Sequence, residues 1–425
     1  MKAIKFENSL RFARQSDRND PLREFRNHYH IPTANGKKAI YFIGNSLGLQ
    51  PKSTKSIIQE ELHDWATLAG EGHLHARRPW LYYHKLSKKY LAGITGAKPS
   101  EVVAMNQLTV NLHLMMVSFY RPTKERNKII TEAGAFSSDQ YAIESQLRYH
   151  GINPTEGLVE VGPREGEYTI RTEDIVSTIE KHRDSVALVL IGGVQYYTGQ
   201  FFNLKKITEA AHIAGAIAGF DLAHAVGNVP LNLHDDDIDF AVWCSYKYLN
   251  SGPGALAGAF VHERHANNFA LPRFAGWWGH NEEERFQMQK GFKPMSGVDG
   301  WQLSNVPILQ AAAHLAALEL FKKAGMKNLR KKSVTLTGYL YFLLKQMDPA
   351  GERFSIVTPE IPEERGCQLS LFIKSNGKTV FNKLIKAGVI ADWREPNVIR
   401  VAPTPMYNTF EEVFRFCEIF NKLVG

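Results

Sequence analysis

Residues 185–221 read SVALVLIGGVQYYTGQFFNLKKITEAAHIAGAIAGFD, and the fold class follows from this stretch. Ser185 to Ile191 is a β-branched run with no charge after Asp184, the composition of a strand buried on both faces. Leu204 to Ala216 spaces its apolar residues as a helix does, and Ala218 to Asp221 is a short strand that ends on an acid. The same alternation extends outward. Val102 to Met105 reads as a strand and Leu108 to Phe119 as a helix; Lys128 to Thr131 is a strand, followed by a helix from Ser138 to Tyr149. Phe240 to Cys244 and Ala257 to Val261 complete the series. Such alternation predicts an α/β fold, a mostly parallel sheet with helices on both faces.

Upstream, Ile57, Ile58, Leu62, Trp65 and Leu68 mark one amphipathic helix, and Trp80, Tyr83, Leu86, Tyr90 and Ile94 a second. Downstream, two helices span Ile308 to Met347, and the remainder reads as a smaller α+β domain with strands near Phe354, Cys367 and Val398. The predicted division is a large domain over 51–304 and a small one over 305–425, with residues 1–50 contributing to the small one. A chain of 425 residues exceeds the usual size of a single core.

The composition narrows the function classes. The formal charge is +8, but 51 Lys and Arg are interspersed with 43 Asp and Glu, without the stripe or module that nucleic-acid binding needs. Cys244, Cys367 and Cys417 are too few and too scattered for a disulfide framework or a metal site, which suits a reducing cytoplasm. His73 and His75 lack further ligands at metal spacing, and Asp235-Asp236-Asp237 lacks the glycine of a calcium loop. No segment reaches the ~18 apolar residues of a membrane span. The expectation is a cytoplasmic protein without metal, nucleic acid or membrane among its partners.

In parallel sheets, ligands bind at the carboxyl ends of the strands. That rule selects Leu108-Thr109, Phe136 to Asp139, Gly192-Gly193, Asp221 and Ser245 to Lys247. Together they offer what pyridoxal 5′-phosphate (PLP) requires. Lys247, in WCSYKY (243–248), is an amine among aromatic residues, suited to a Schiff base and to carrying protons. Asp221, 26 residues earlier, can keep a pyridine nitrogen protonated, with His224 orienting it. The helix starting at Leu108-Thr109 presents free N–H groups to a phosphate. Tyr246 can bond the phosphate and donate a proton, and Phe136 can stack on the ring. Asp139 is a helix cap or a cofactor contact. Trp277-Trp278 between glycines suggests a ligand or subunit contact. Arg400, in mid-strand, needs either a substrate carboxylate or an internal acid.

Several blocks together resemble the kynureninases, members of the aspartate-aminotransferase group (fold type I) of PLP-dependent enzymes: YFIGNSLGLQP from Tyr41, LTVNLHL from Leu108, YAIESQL from Tyr141, FDLAHAVGNV from Phe220, WCSYKYLN from Trp243, the Trp277 loop and RVAP from Arg400. The resemblance covers nearly the whole chain. It implies hydrolysis of L-kynurenine or 3-hydroxykynurenine to L-alanine plus anthranilate or 3-hydroxyanthranilate, a step of tryptophan catabolism, by a homodimer with a shared active site. It also implies Lys247 as the Schiff-base lysine, Asp221 and His224 at the pyridine, and Leu108, Thr109, Tyr246 and Trp277 at the phosphate. Trp277 would come from the other subunit. Phe136, Ser137, Ser138 and Asp139 would line the ring, and Gly192 and Asn305 would also border the cofactor. Arg400 would take the substrate carboxylate, with Ser46, His73 and Asn305 around the substrate's ring. The pair His73 and Asn305 is similar to the branch preferring 3-hydroxykynurenine. Two departures stand out: Gly192 replaces a serine found in some members, and Ser137 a proline found in others. A cysteine desulfurase is the rival within PLP chemistry; it would need Cys367 as a nucleophile on a mobile loop, whereas CQLSLFI (367–373) reads as a strand. A non-catalytic basic binding protein is the rival outside it, and it predicts a colourless preparation.

Overall fold

The computed structural model describes residues 5–425. In chain order, the large sheet contains β1 (Val102–Ala104), β2 (Lys128–Glu132), β3 (Leu158–Val161), β4 (Val186–Gly192), β5 (Ile217–Asp221), β6 (Phe240–Cys244) and β7 (Ala257–Val261). Across the sheet they lie in the order β1-β7-β6-β5-β4-β2-β3. All neighbours are parallel except the two pairs made by β7.

Side chains alternate between the two faces of a strand, and β4 shows the consequence. Leu188 and Leu190 enter one core with Leu112, Met115, Ile143 and Leu147 from the helices Leu108–Phe119 and Ser137–Tyr149. Val189 and Ile191 enter the other core with Ile175, Ile207 and Phe321 from the helices on the opposite face. Both faces of the strand are buried, so it contains no polar residue before Gly192.

The small unit has an antiparallel sheet of β8 (Phe354–Ile356), β9 (Leu369–Ile373), β10 (Asp392–Arg394) and β11 (Val398–Val401), ordered β8-β9-β11-β10. Residues of Leu10–Arg18, Met326–Met347, Gly377–Lys386 and Phe410–Val424 share its core. Tyr41 and Ile40 pair in parallel with Ile390 and Val389.

Three sequence expectations are corrected. The division does not fall at 305: Ala311, Ala312, Leu318 and Phe321 of the helix Ile308–Ala324 lie in the large core, and the change comes within Met326–Met347, between Leu329 and Leu336. Apolar spacing merged two elements around residue 86, where a 3-10 segment Trp80–Lys85 gives way to a helix Lys88–Thr95. The edge strand β3 and the helix Thr172–Lys181 were not anticipated; β3 is only four residues long and half-exposed, too short for a period to show.

The stretch from Tyr41 to Gln50 links the two units. The Gly48 N–H donates to the Tyr246 carbonyl at 2.8 Å. A β-carbon at Gly48 would collide with the Lys247 carbonyl and the Asn250 side chain, so only glycine permits this approach. Among the described residues, no helix is long and apolar enough to cross a membrane.

Candidate active site

Parallel strands deliver their terminal residues to one edge, and there the ends of β2, β4, β5 and β6 open on a single cavity. Its lining includes Leu108, Thr109, Glu132, Phe136, Ser138, Asp139, Gly192, Tyr196, Asp221, His224, Tyr246 and Lys247. Lys247 stands 5.8 Å from the ring centroids of both Phe136 and Tyr246. Phe136 is 45% exposed and meets Tyr196 edge-on at 5.2 Å, so its ring is a wall of the cavity and not part of a core.

Three acids and one amine line this cavity. The Asp221 Oδ1 accepts the Ala223 N–H at 2.6 Å. Burial raises the Asp221 carboxyl above the ordinary range, while hydrogen bonding with Asp139 and the charge of Lys247 pull it back. Burial, and then the Asp221 charge, raises Asp139 further. Burial thus holds both carboxyls above the ordinary range, and the nearby Lys247 charge draws both back toward the anion. Glu132 is the third acid, and sequence reading missed it: an acid at the last position of a β-branched strand looks like a solvent-facing end. It is 4% exposed, and burial pushes it up to about 7.

The helix Leu108–Phe119 begins without a side-chain cap on Gln107; its first bonded amide is that of Asn111, which donates to the Gln107 carbonyl. The amides of Leu108, Thr109 and Val110 therefore lack helical acceptors and form an anion site at the cavity wall. Ser137 is the first residue of the next helix, a position that also accommodates proline.

His224 lines the cavity but does not bond Asp221; its ring lies edge-on to Tyr248 at 6.3 Å, and its buried Nδ1 has no partner. The expected orienting contact is thus replaced by the Ala223 amide and Asp139. Arg400 is fully buried, and the internal acid that was its alternative is present: it donates to Asp392 and, at 2.6 Å, to the Tyr196 carbonyl. Asp392 is shared with Arg394 at 3.2 Å, so two guanidinium groups share one carboxylate, and Arg400 Nε remains without a partner. Ser46, His73, Trp277 and Asn305 do not line the cavity of the single chain. His73 and Asn305 are exposed, and Trp277, 46% exposed, donates to the Arg285 carbonyl.

An amine, a buried acid, a ring-sized aromatic wall, an orphaned imidazole nitrogen and a triad of free amides are the parts that PLP requires. Cys367 does not fit the rival chemistry: it is fully buried, and burial pushes its thiol up to about 12.

Comparisons with known proteins point to one family. Residues 329–420 match the family model described as the kynureninase C-terminal domain. The chain is 57% identical over 412 residues to a kynureninase of Myxococcus xanthus, covering 97% of this chain and 96% of that one. It is 54% identical over 418 residues to a kynureninase of Flavobacterium psychrophilum, covering 98% of both. Among solved structures, a cysteine desulfurase of Escherichia coli superposes with a TM-score of 0.76 at 14% identity, covering 95% of this chain and 98% of that one; at that identity only the fold is shared.

Proposed function

The chain belongs to the kynureninase family, and from that premise we propose how its own side chains carry the reaction. It is a PLP-dependent hydrolase of carbon–carbon bonds with the type I fold; it converts L-kynurenine or its 3-hydroxy derivative to L-alanine plus the corresponding anthranilate. Bound in the cavity, PLP supplies an electron sink conjugated to the substrate's α-carbon. The observation that carries the role assignment is the convergence of Lys247, Asp221 and the open helix start at Leu108 on one cavity.

Lys247 would hold the cofactor's aldehyde carbon and, once displaced by substrate, take the proton from Cα. Asp221, whose anion is favoured by the Ala223 amide and the Lys247 charge, would hold a proton on the pyridine nitrogen. The Thr109 hydroxyl and the amides of Leu108 to Val110 would bind the phosphate. Phe136 would flank the ring, with Ser137 and Ser138 shaping the turn beside it. Water adds to the side-chain carbonyl, and after cleavage the Tyr246 hydroxyl would return a proton to Cβ; burial raises its phenol above the ordinary value, so the proton is retained until then.

The surplus charge of Arg394 and Arg400 over Asp392 would draw a substrate carboxylate toward Arg400. Ser46, His73 and Asn305 would surround the substrate's ring, with Asn305 also near the cofactor and Trp277 at the phosphate. Their positions outside the single-chain cavity support a homodimer that completes each site, and exposed Phe286 and Met288 beside Trp277 are consistent with that. Three buried, unpaired cysteines support a cytoplasmic location.

The test is Lys247→Ala. We expect the visible absorbance of the bound cofactor to vanish and kcat to fall at least about a thousandfold. Retention of both would overturn the assignment. Release of sulfide from cysteine by the native enzyme would revive the desulfurase reading, which the enclosure of Cys367 opposes.

A further inference from the structure

Glu132 ends β2, Gly192 ends β4 and Asp221 ends β5, and β4 lies between the other two. Both oxygens of Glu132 accept the Gly192 N–H, at 3.2 and 3.1 Å, and Oε2 also faces the Thr131 hydroxyl at 3.4 Å. Gly192 is the register partner of Asp221, and the next amide, of Gly193, donates to the Asp221 carbonyl at 2.7 Å. A β-carbon on Gly192 would stand 2.8 Å from Glu132 Oε1, so the carboxyl fills the space that glycine leaves open. A nearly enclosed carboxyl bonded only to an amide and a neighbouring hydroxyl is costly to keep. An apolar residue would serve a core better; this acid faces the cavity beside Asp221.

We propose that Glu132 is a positioning residue for the cofactor: by holding the Gly192 amide it fixes the Gly192-Gly193 peptide, and through it the strand end from which Asp221 reaches the pyridine nitrogen. This rests on the PLP reading above. The contact needs an acceptor at the right reach and does not need a charge. Glutamine supplies that acceptor; aspartate is one methylene too short; alanine has none.

The experiment measures PLP dissociation constants by titrating apoenzyme, and records the visible spectrum of each reconstituted protein. Glu132→Ala should weaken PLP about tenfold, the loss expected for one buried hydrogen bond with its acceptor removed, and shift the absorbance maximum. Glu132→Asp should do likewise, and Glu132→Gln should restore affinity to within about twofold and return the maximum to its native position. If alanine does not fold, the order of aspartate below glutamine decides alone. Native affinity and spectrum in Glu132→Asp or Glu132→Ala would overturn the proposal, as would a glutamine variant as weak as the other two. Failure of the native protein to bind PLP would sink the parent reading instead, and is scored separately with Lys247→Ala.

Discussion

The two edges of the large sheet treat buried acids in opposite ways. At the amino edge, Asp239 is 2% exposed and accepts from His212 at 2.9 Å, His265 at 2.8 Å and the Ala218 amide at 2.8 Å. Burial pushes its carboxyl up, but the hydrogen bonds from the two histidines outweigh that and hold it well below the usual range. Beside it, Glu101 is fully buried and takes the amides of Lys98 and Glu263 as well as His234 at 2.9 Å. At the carboxyl edge, Glu132, Asp139 and Asp221 line one cavity with Lys247 and are all raised. The amino edge is saturated with partners and stabilises; the carboxyl edge is left short of them, and that deficit is what a ligand can satisfy.

The largest test of this contrast is Asp221→Asn. Losing the carboxylate proposed to hold the proton of the ring nitrogen should lower kcat/KM at least about a thousandfold, or about 4 kcal/mol, with no fall in Tm, measured by steady-state kinetics and thermal melting. The mirror change, Asp239→Asn, should cost about 2–4 kcal/mol in urea unfolding and leave kcat within about twofold. If Asp239→Asn abolished activity while folding normally, the division of labour would be wrong.

The pH dependence of the apoprotein sharpens the comparison. Asp239 has a folded-state value below its unfolded one, so its stabilisation is present above about pH 4 and fades as the pH drops further. Glu132, at about 7 against an ordinary 4.5, has the opposite sign: its ionisation works against folding, so stability should decline between pH 4.5 and 7. The Glu132 share of that decline should be about 3 kcal/mol or less, and Glu132→Gln should flatten the slope by that share while the part due to Asp139 and Asp221 persists, as urea unfolding at several pH values would show. The smallest effect belongs to the exposed pair Lys98–Glu263 at 2.6 Å, nearly half accessible on both sides. Lys98→Met should leave the melting curve unchanged within its scatter.

Much of the catalytic edge was legible because strand ends in a parallel sheet have a predictable destination. Lys247, Asp221, Phe136 and the Leu108 helix start could each be placed by noting which residues follow an apolar run. Glu132 escaped because its partner is an amide on another strand, and no local pattern announces an acceptor for a backbone group 60 residues away. The bond between Arg400 and Asp392 escaped because it depends on the register of β10 against β11, set by the turn between them. His224 was assigned to Asp221 on chain proximity, whereas its ring turns toward Tyr248. His73, Trp277 and Asn305 could be carried over from a resemblance but not built from a single chain, whose cavity they do not reach.

Gly48 extends the catalytic neighbourhood to a part of the chain that none of the cavity-lining residues belongs to. Its amide grips the peptide between Tyr246 and Lys247, and the absence of a side chain lets it sit that close. Residues 40–48 are thus the rear abutment of the reactive amine, not a leader strip that could be trimmed. A deletion ending before residue 50, or a single methyl group at 48, would leave all the chemistry-bearing side chains in the polypeptide and still unseat the lysine they serve.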